Sequence, residues 1–493
     1  MKLSKILTPI EKHIISKKIV EDIEIESLSE DSRDHFINEN TLFFAREGTK
    51  VDATKFIPQV VDKGCKTFIT TKNVAYNNLN IITVDNITKV EAIVAKNFFN
   101  KPDEKLKVIG VTGTKGKTTI SYMIFNALYG IGMRGGLIGT IEYRLNESSI
   151  QADNTTPGPL QLYTFLNDIV QNHGEFVSME VSSHGLETNR VYGIKFDVGI
   201  FTNLSREHLD FHKTMENYFN SKMKLLYQMR ELNPKSKLII NIDTEWGQKA
   251  YEIAKKIGLE TITCSLKEKA DIFAKNITVS LDGNEFIVEY KGKQYKFYTK
   301  MVGIHNIYNA ICALGAISQI IPDKIENAID HISKTTVKGR FQILKSNRGF
   351  FVVIDYAHTP DSLEKTLETG RLFFPKRLTV VFGAGGDRDK GKRPLMGEVA
   401  SRIADKVIIT NDNPRTEYPP SIISDILSGI PEERIKKVKI IEDRKRAINT
   451  AIKEAIEGEI IIIAGKGHEE YQIIGEEKIP FSDIEEVIRS EYF

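Results

Sequence analysis

A chain of 493 residues is longer than one hydrophobic core organises, and about three domains are expected. Its composition is that of an ordinary soluble protein, 41% hydrophobic and 27% charged, and 68 Lys+Arg against 66 Asp+Glu leave a net charge of +2. No global field therefore favours nucleic acid or a membrane surface. Cys65, Cys264 and Cys312 lie far apart, offering neither a disulfide framework nor a zinc site, which fits a reducing compartment. The N-terminal MKLSKILTPIEKH lacks the apolar run of a signal peptide, and the longest apolar runs, such as Ile460–Ala464, have the length of strands. A soluble cytoplasmic protein with no membrane insertion is expected.

Along the chain, short β-branched runs alternate with helical stretches, the pattern of an α/β fold. Strands are predicted at Leu106–Val111, Val198–Thr202, Leu238–Asn241, Phe351–Asp355, Leu378–Phe382, Lys406–Thr410 and Glu459–Ala464. Several run directly into Gly, Asn or Asp, at the strand ends where parallel sheets bind ligands. The polar stretch Asn100–Lys105 marks a first boundary, and Thr335–Val337, after the helical Ile304–Ile320 and Pro322, marks a second. Three segments follow: 1–101, 102–336 and 337–493. Neither internal repeats nor a low-complexity linker interrupts them.

KVIGVTGTKGKTTISYMIFNAL reads as strand, glycine turn and helix. Such a turn lets backbone N–H groups approach phosphate oxygens, and the helix N-terminus adds its positive dipole end. Lys117 would reach the terminal phosphates, and a hydroxyl of Thr118 or Thr119 would ligate Mg²⁺. The loop Gly113, Thr114, Lys115, Gly116, Lys117, Thr118, Thr119 is shorter than GxxxxGK[ST], which would need glycine where Val111 stands. The bland reading is a Gly/Lys-rich turn between strand and helix. A phosphate loop by itself does not separate kinases, GTPases and ligases.

Three clusters follow at strand ends: Asn154-Thr155-Thr156-Pro157-Gly158, Met179-Glu180-Val181-Ser182-Ser183-His184-Gly185, and the run Thr202 to His212. Glu180 and His208 could share a divalent cation beside the phosphates, although magnesium ordinarily takes oxygen ligands and a lone histidine is more often structural. Lys222, in the helical-looking Met215–Met229, reads as a solvated lysine. A carboxylate couples to an amine only after activation, for instance as an acyl phosphate. That chemistry needs metal, cationic clamps and positioning more than a protein nucleophile, and the residues present match it.

GTKGKTT, NTTPG, EVSSHGL, TNLSREHLDFH, NYFNSK, GIHNIYNA, VKGRFQ, DYAHTPDSL, FGAGGDRDKGKRPLM, DNPRTE and AGKGHE, preceded by DSR at Asp31–Arg33 and by Leu42-Phe43, together resemble the Mur ligases over nearly the whole chain. The resemblance implies a small N-terminal α/β domain for a UDP moiety, a central P-loop ATPase-like domain with a parallel sheet, and a C-terminal Rossmann-like domain for an incoming amino acid. It further implies ATP and Mg²⁺, with phosphorylation of the D-glutamate γ-carboxylate of UDP-N-acetylmuramoyl-L-alanyl-D-glutamate, followed by attack of the amino acid amine. A monomer is expected.

By that resemblance Lys117 is the phosphate clamp, and Thr118, Glu180 and His208 are metal ligands. Lys222 stands where the family carries a carbamylated lysine, which would make it an anionic metal ligand. Asn309, Arg340, Asp355, Tyr356 and His358 correspond to ATP contacts. Ser29, Asn154, Thr155, Thr156, Ser182 and Arg190 correspond to contacts with the UDP-muramoyl dipeptide. Glu207, His305, Gln342 and Lys115 depart from the family pattern, and none of them removes a proposed ligand.

Amino acid choice rests on Asp412, Asn413, Pro414 and Arg415. meso-Diaminopimelate differs from lysine by a second carboxylate on its far end; a guanidinium pairs with a carboxylate and would repel the lysine ammonium. Arg415 therefore favours diaminopimelate, and DNPR resembles the diaminopimelate-adding branch. Arg388 resembles the clamp for the other carboxylate, and Asn413, Gly465 and Glu469 the receivers of the distal amino acid group. meso-Lanthionine, with the same ends and a thioether in the middle, and L-lysine are the alternatives. Rival classes are a folylpolyglutamate synthetase, disfavoured by DNPR, GKGHE and the N-terminal segment; a switch GTPase or motor, for which no NKxD-type element is present; and an inactive binding module, which would be expected to have lost Lys117, Glu180 or His208.

Overall fold

The computed structural model describes residues 1–47 and 52–493. Its contacts group the chain into two compact units. One comprises residues 1–204, 216–272 and 312–329, and the other 205–215, 273–311 and 330–493.

The first unit carries two sheets. In the N-terminal sheet, Ser27–Ser29, Thr41–Ala45, Thr67–Thr70 and Asn80–Val84 run parallel in that spatial order, with Ile14–Lys18 antiparallel on the edge beside Asn80–Val84. In the second sheet, Glu260–Ser265, Lys237–Asn241, Val198–Phe201, Lys107–Thr112, Phe176–Glu180 and Gly135–Ile138 are parallel neighbours in that order. Glu142–Leu145 and Ser148–Gln151 add antiparallel strands beyond Gly135–Ile138. Lys107–Thr112 is central and buried almost throughout, as a strand covered on both faces requires. The loop after it opens between the ends of Val198–Phe201 and Phe176–Glu180, the crevice where open parallel sheets place ligands.

The second unit is built on a six-stranded sheet in the order Gln342–Lys345, Phe351–Asp355, Glu459–Ala464, Arg377–Phe382, Lys406–Ile409, Val438–Ile440; only the first pair is antiparallel. It also holds the antiparallel pair Gly283–Tyr290 and Lys293–Thr299. Ile460 to Ala464 alternate between two apolar layers: Ile460, Ile462 and Ala464 face one cluster, and Ile461 and Ile463 the other. Both faces are covered, which is why this strand is a continuous apolar run rather than an alternating one. Ile462→Val should lower the unfolding free energy by about 0.5–1.5 kcal/mol, read by urea denaturation.

All seven predicted strands are present, shifted by one residue where they differ. The helices Ile304–Ile320 and Met215–Leu232 lie where the pattern placed them. All three cysteines are buried free thiols. Among the described residues no helix is long and apolar enough to cross a membrane.

Candidate active site

The phosphate loop is shaped by its neighbours. Gly113 has φ +146°, and a Cβ there would fall 1.9 Å from Thr202 Oγ1, so only glycine fits against the adjoining strand end. Asn203 and Thr202 grip the loop: the Asn203 carbonyl accepts from Thr114 N (2.9 Å) and its Oδ1 from Lys115 N (3.0 Å), while Thr202 Oγ1 donates to Lys115 O (2.7 Å). Gly116, at φ +89°, caps the helix Lys117–Gly130 without a side chain. Thr118 and Thr119 are buried in its first turn. Lys117 Nζ folds back onto the carbonyls of Gly113 (3.0 Å) and Thr114 (2.9 Å).

Lys222 is not a solvated lysine. It is 1% exposed, its Nζ donates to Gly113 O at 2.8 Å and lies 4.6 Å from the centroid of the Tyr218 ring, and Tyr218 Oη meets Thr114 Oγ1 at 3.1 Å. The helix Met215–Leu232 thus presents a buried cation to the phosphate loop. Helix periodicity alone does not show which element a helix face meets, so this placement came only from the fold.

Glu180 ends the strand Phe176–Glu180 and is 1% exposed. Its carboxylate accepts from Thr140 N (2.8 Å) and Thr140 Oγ1 (3.1 Å). The same hydroxyl lies 3.1 Å from Thr155 Oγ1, and Thr156 Oγ1 donates to Glu180 O (2.9 Å) while accepting from Ser182 N (3.0 Å). Arg190 Nη1 donates to Thr156 O (2.9 Å), and Tyr143 Oη to Asn154 O (2.6 Å). Ser182 Oγ caps the short helix Ser183–Glu187. Thr155, Thr156, Glu180, Ser182 and Arg190, far apart in the chain, therefore form one hydrogen-bonded group, joined through Thr140, while Asn154 is held separately by Tyr143. Burial and the nearby Arg46 pull the Arg190 guanidinium below its ordinary value. Ser29 is buried at the end of its strand and donates to Asp34 Oδ2 (2.7 Å). Among the described residues no three His, Cys, Asp or Glu side chains converge on a point, so a divalent ion would need substrate phosphates to complete its shell, as magnesium commonly does.

In the second unit, His208 sits exposed at φ +57° ahead of the short helix Leu209–His212, and Glu207 Oε1 lies 3.4 Å from His358 Nε2. The Arg340 guanidinium lies 4.5 Å from the centre of the Tyr356 ring, which also meets His358 and His468. Asp355 is occupied by backbone: it accepts from Phe341 N (2.7 Å) and Ala357 N (3.0 Å), fixing the turns that carry Arg340 and Tyr356. Asn309 is buried and donates to Asn306 Oδ1 (2.8 Å), and Asn306 Nδ2 in turn lies 3.1 Å from Nε2 of His305. Gln342 accepts from Gly339 N (3.1 Å), supporting the turn before Arg340.

The acceptor candidates gather at the strand ends of the six-stranded sheet. Arg415, at φ +53°, donates through Nη1 to Gly386 O (2.7 Å), and the hairpin Tyr471–Pro480 takes its backbone through Ile473 O and Gly475 N. Burial and Arg388 pull the Arg415 guanidinium below its ordinary value. A Cβ on Gly465 (φ +118°) would lie 2.5 Å from Asp412 Oδ2, so glycine there lets the turn close onto Asp412. Asn413 is engaged on both ends of its amide: Oδ1 accepts from Lys466 Nζ (3.0 Å) and Ile473 N (2.9 Å), and Nδ2 donates to Glu469 Oε2 (2.9 Å). The fully buried Arg393 makes a two-pronged contact with Glu417, whose Oε1 also accepts from Asp387 N (2.6 Å).

The Arg393 contacts hold the Glu417 carboxyl down at about 2 against an ordinary 4.5. A depressed carboxyl contributes stability that is complete above its unfolded value and lost as pH falls towards the folded one. Glu417→Gln should therefore flatten the fall of the unfolding midpoint between about pH 4.5 and pH 2, followed by thermal denaturation across that range.

A model of the Mur ligase middle domain matches residues 111–317, and one of the Mur ligase glutamate ligase domain matches 339–467. The chain is 42% identical over 490 residues to UDP-N-acetylmuramoyl-L-alanyl-D-glutamate--2,6-diaminopimelate ligase 1 of Clostridium acetobutylicum, covering 98% of each chain. The chain belongs to the Mur ligase family. A Clostridium tetani UDP-N-acetylmuramoyl-L-alanyl-D-glutamate--2,6-diaminopimelate ligase is 40% identical over the full length of both chains. A solved structure of a ligase of that name superposes with TM-score 0.68 at 30% identity, covering 99% of this chain and 98% of the other. The MurF ligase of Thermotoga maritima in complex with ADP shares the fold at 18% identity and TM-score 0.67, covering 90% of this chain and 95% of the other.

Several residues of this Mur ligase lay outside the sequence reading. Thr140 holds Glu180, and Arg46 pairs with Glu30 (2.9 Å) and with the buried Glu91, which also accepts from Leu160 N (3.0 Å) at the start of the helix Pro159–Gln171. Nothing local announces partners 45 and 69 positions apart. Lys466 lies inside the quoted AGKGHE motif, and its complete burial was the missing signal.

Proposed function

We propose that this Mur ligase joins meso-2,6-diaminopimelate to UDP-N-acetylmuramoyl-L-alanyl-D-glutamate at the expense of ATP, a step of peptidoglycan precursor synthesis. The observation that carries the reading is the charge layout of the acceptor loops. Arg415 and Arg388 crowd two guanidiniums together, while Asp412 and Glu469 present carboxylates nearby. A zwitterion with a carboxylate at each end matches that layout; lysine would leave a half-buried guanidinium unmatched. The relatives' names agree with it over the full length of the chain.

In this reading the γ-carboxylate of the D-glutamyl residue attacks the terminal phosphorus of ATP, ADP departs, and an acyl phosphate results. The acceptor amine then adds to its carbonyl, the tetrahedral adduct expels phosphate, and the amine proton passes to solvent or a nearby base. The loop N–H groups and Lys117 orient the phosphates; Thr155, Thr156, Ser182, Arg190 and, farther along, Ser29 hold the UDP-muramoyl dipeptide. Arg340, Tyr356, His358 and Asn309 serve the nucleotide. Thr118, Glu180 and Lys222 as its carbamate would hold Mg²⁺, which would neutralise charge on the transferring phosphoryl group. Residues 1–101, 102–336 and 337–493 act as the UDP-binding, ATP-binding and amino-acid-binding segments of a cytoplasmic monomer.

The test is phosphate release by purified protein with ATP, Mg²⁺ and the UDP-muramoyl dipeptide, with and without acceptor. Release is expected only with acceptor, fastest with meso-diaminopimelate and slower with meso-lanthionine or L-lysine. Full-rate hydrolysis without acceptor would overturn the reading.

A further inference from the structure

Lys466 is fully buried and belongs to no step described so far. Its Nζ donates to Glu469 Oε2 (2.8 Å) and Asn413 Oδ1 (3.0 Å), lies 3.8 Å from Asp412 Oδ1, and sits 5.6 Å from the centre of the Tyr471 ring. Asn413 Nδ2 donates to the same Glu469 oxygen at 2.9 Å. Gln472 Nε2 closes the group from the hairpin side by donating to Asp412 O (2.6 Å). Two donors therefore fix Oε2 of Glu469, and among the described residues Oε1 has no hydrogen-bond partner.

Stability gives little reason for this arrangement. Removing an ammonium from water is costly, and a well-packed apolar side chain of similar volume commonly serves a fold as well or better. The arrangement has a clearer consequence for a ligand. Lys466 and Asn413 hold one oxygen of Glu469, which leaves the other to accept from a ligand donor.

We propose that Lys466 is a positioning residue for the acceptor amino acid: with Asn413 it anchors Oε2 of Glu469 and so turns Oε1 towards an ammonium group of the substrate. The inference rests on the ligase reading above. It adds that the acceptor site is assembled by a buried cation that never touches the acceptor. Asn413 then serves as a bracket between Lys466, Glu469 and the hairpin.

The experiment compares wild type, Lys466→Met, Glu469→Gln and the double variant in the complete reaction. Lys466→Met should raise the KM for meso-diaminopimelate by roughly 30-fold or more, because a charge-paired contact is lost. The KM values for ATP and the UDP-muramoyl dipeptide should stay within about twofold of wild type. In the Glu469→Gln background the same substitution should add much less, the mark of two residues acting as one unit. An unchanged acceptor KM, an equal rise in all three KM values, or an undiminished penalty in the Glu469→Gln background would each overturn the proposal. If Lys466→Met does not fold, Lys466→Arg replaces it: a guanidinium keeps the charge and cannot place one nitrogen on both partners, so an acceptor-specific defect supports the proposal and a normal acceptor KM overturns it. Wild type without acceptor-dependent phosphate release would instead refute the ligase reading itself.

Discussion

Replacing Arg415 by alanine is expected to raise the KM for meso-diaminopimelate by a factor of at least roughly 30, the cost of about 2 kcal/mol or more for truncating one partner of a desolvated charge pair. The KM for ATP should hardly move. Arg415 is set for this role by its surroundings. The hairpin Tyr471–Pro480 holds its backbone at φ +53°, and Gly386 O orients the guanidinium from behind. Burial and Arg388 disfavour its charge, so a carboxylate arriving there relieves repulsion as well as forming hydrogen bonds. Arg415→Lys should recover little, because a point charge on a flexible stem replaces a planar fork. Steady-state kinetics with each substrate varied in turn provide the check. A rise in the ATP KM equal to that for diaminopimelate would mean that the loop had collapsed rather than lost a clamp.

Replacing Lys117 by methionine is expected to lower kcat by about 10²–10³-fold, the usual effect of removing one preorganised donor from developing charge. Methionine keeps most of the side-chain volume, and the loop itself should persist, because Thr202 and Asn203 grip it through Thr114 and Lys115 rather than through Lys117. Lys117 now rests on the carbonyls of Gly113 and Thr114, acceptors that a phosphate oxygen would displace. Nucleotide affinity should therefore fall far less than turnover, since the backbone N–H groups and helix start remain. Calorimetric titration with a non-hydrolysable ATP analogue, set beside kcat, separates the two. A variant that lost binding and turnover alike would place Lys117 in ground-state binding alone.

Much of this molecule is written locally. The strands Phe351–Asp355 and Glu459–Ala464 could be read residue for residue because buried parallel strands require continuous β-branched runs, and the breakers that end them sit in the next positions. The phosphate loop was legible for a similar reason: strand, glycine turn and helix are adjacent in sequence, and the φ values at Gly113 and Gly116 demand glycine. The DNPR segment points to a carboxylate partner through the chemistry of a guanidinium. The N-terminal sheet is not legible in the same way, since Ser27–Ser29 and Thr67–Thr70 are too short to carry a periodic signal.

What the chain could not declare were contacts between residues far apart in it. Lys222 read as a solvent-facing helix lysine and proved to be buried on Gly113, 109 positions earlier. Helical periodicity says that a face exists but not what it packs against, and only the sheet order places the helix Met215–Leu232 beside the phosphate loop. Lys466 shows the same limit within a motif. Its identity is visible, yet its meaning lies in the partners Asn413 and Asp412, supplied by a different strand end. The sequence by itself determined the elements, the glycine turn and the chemistry available at each strand end, because those depend on neighbours in the chain. Tertiary structure alone decided which charges are buried and which of them face one another, because desolvation and Coulomb energy depend on distance in space.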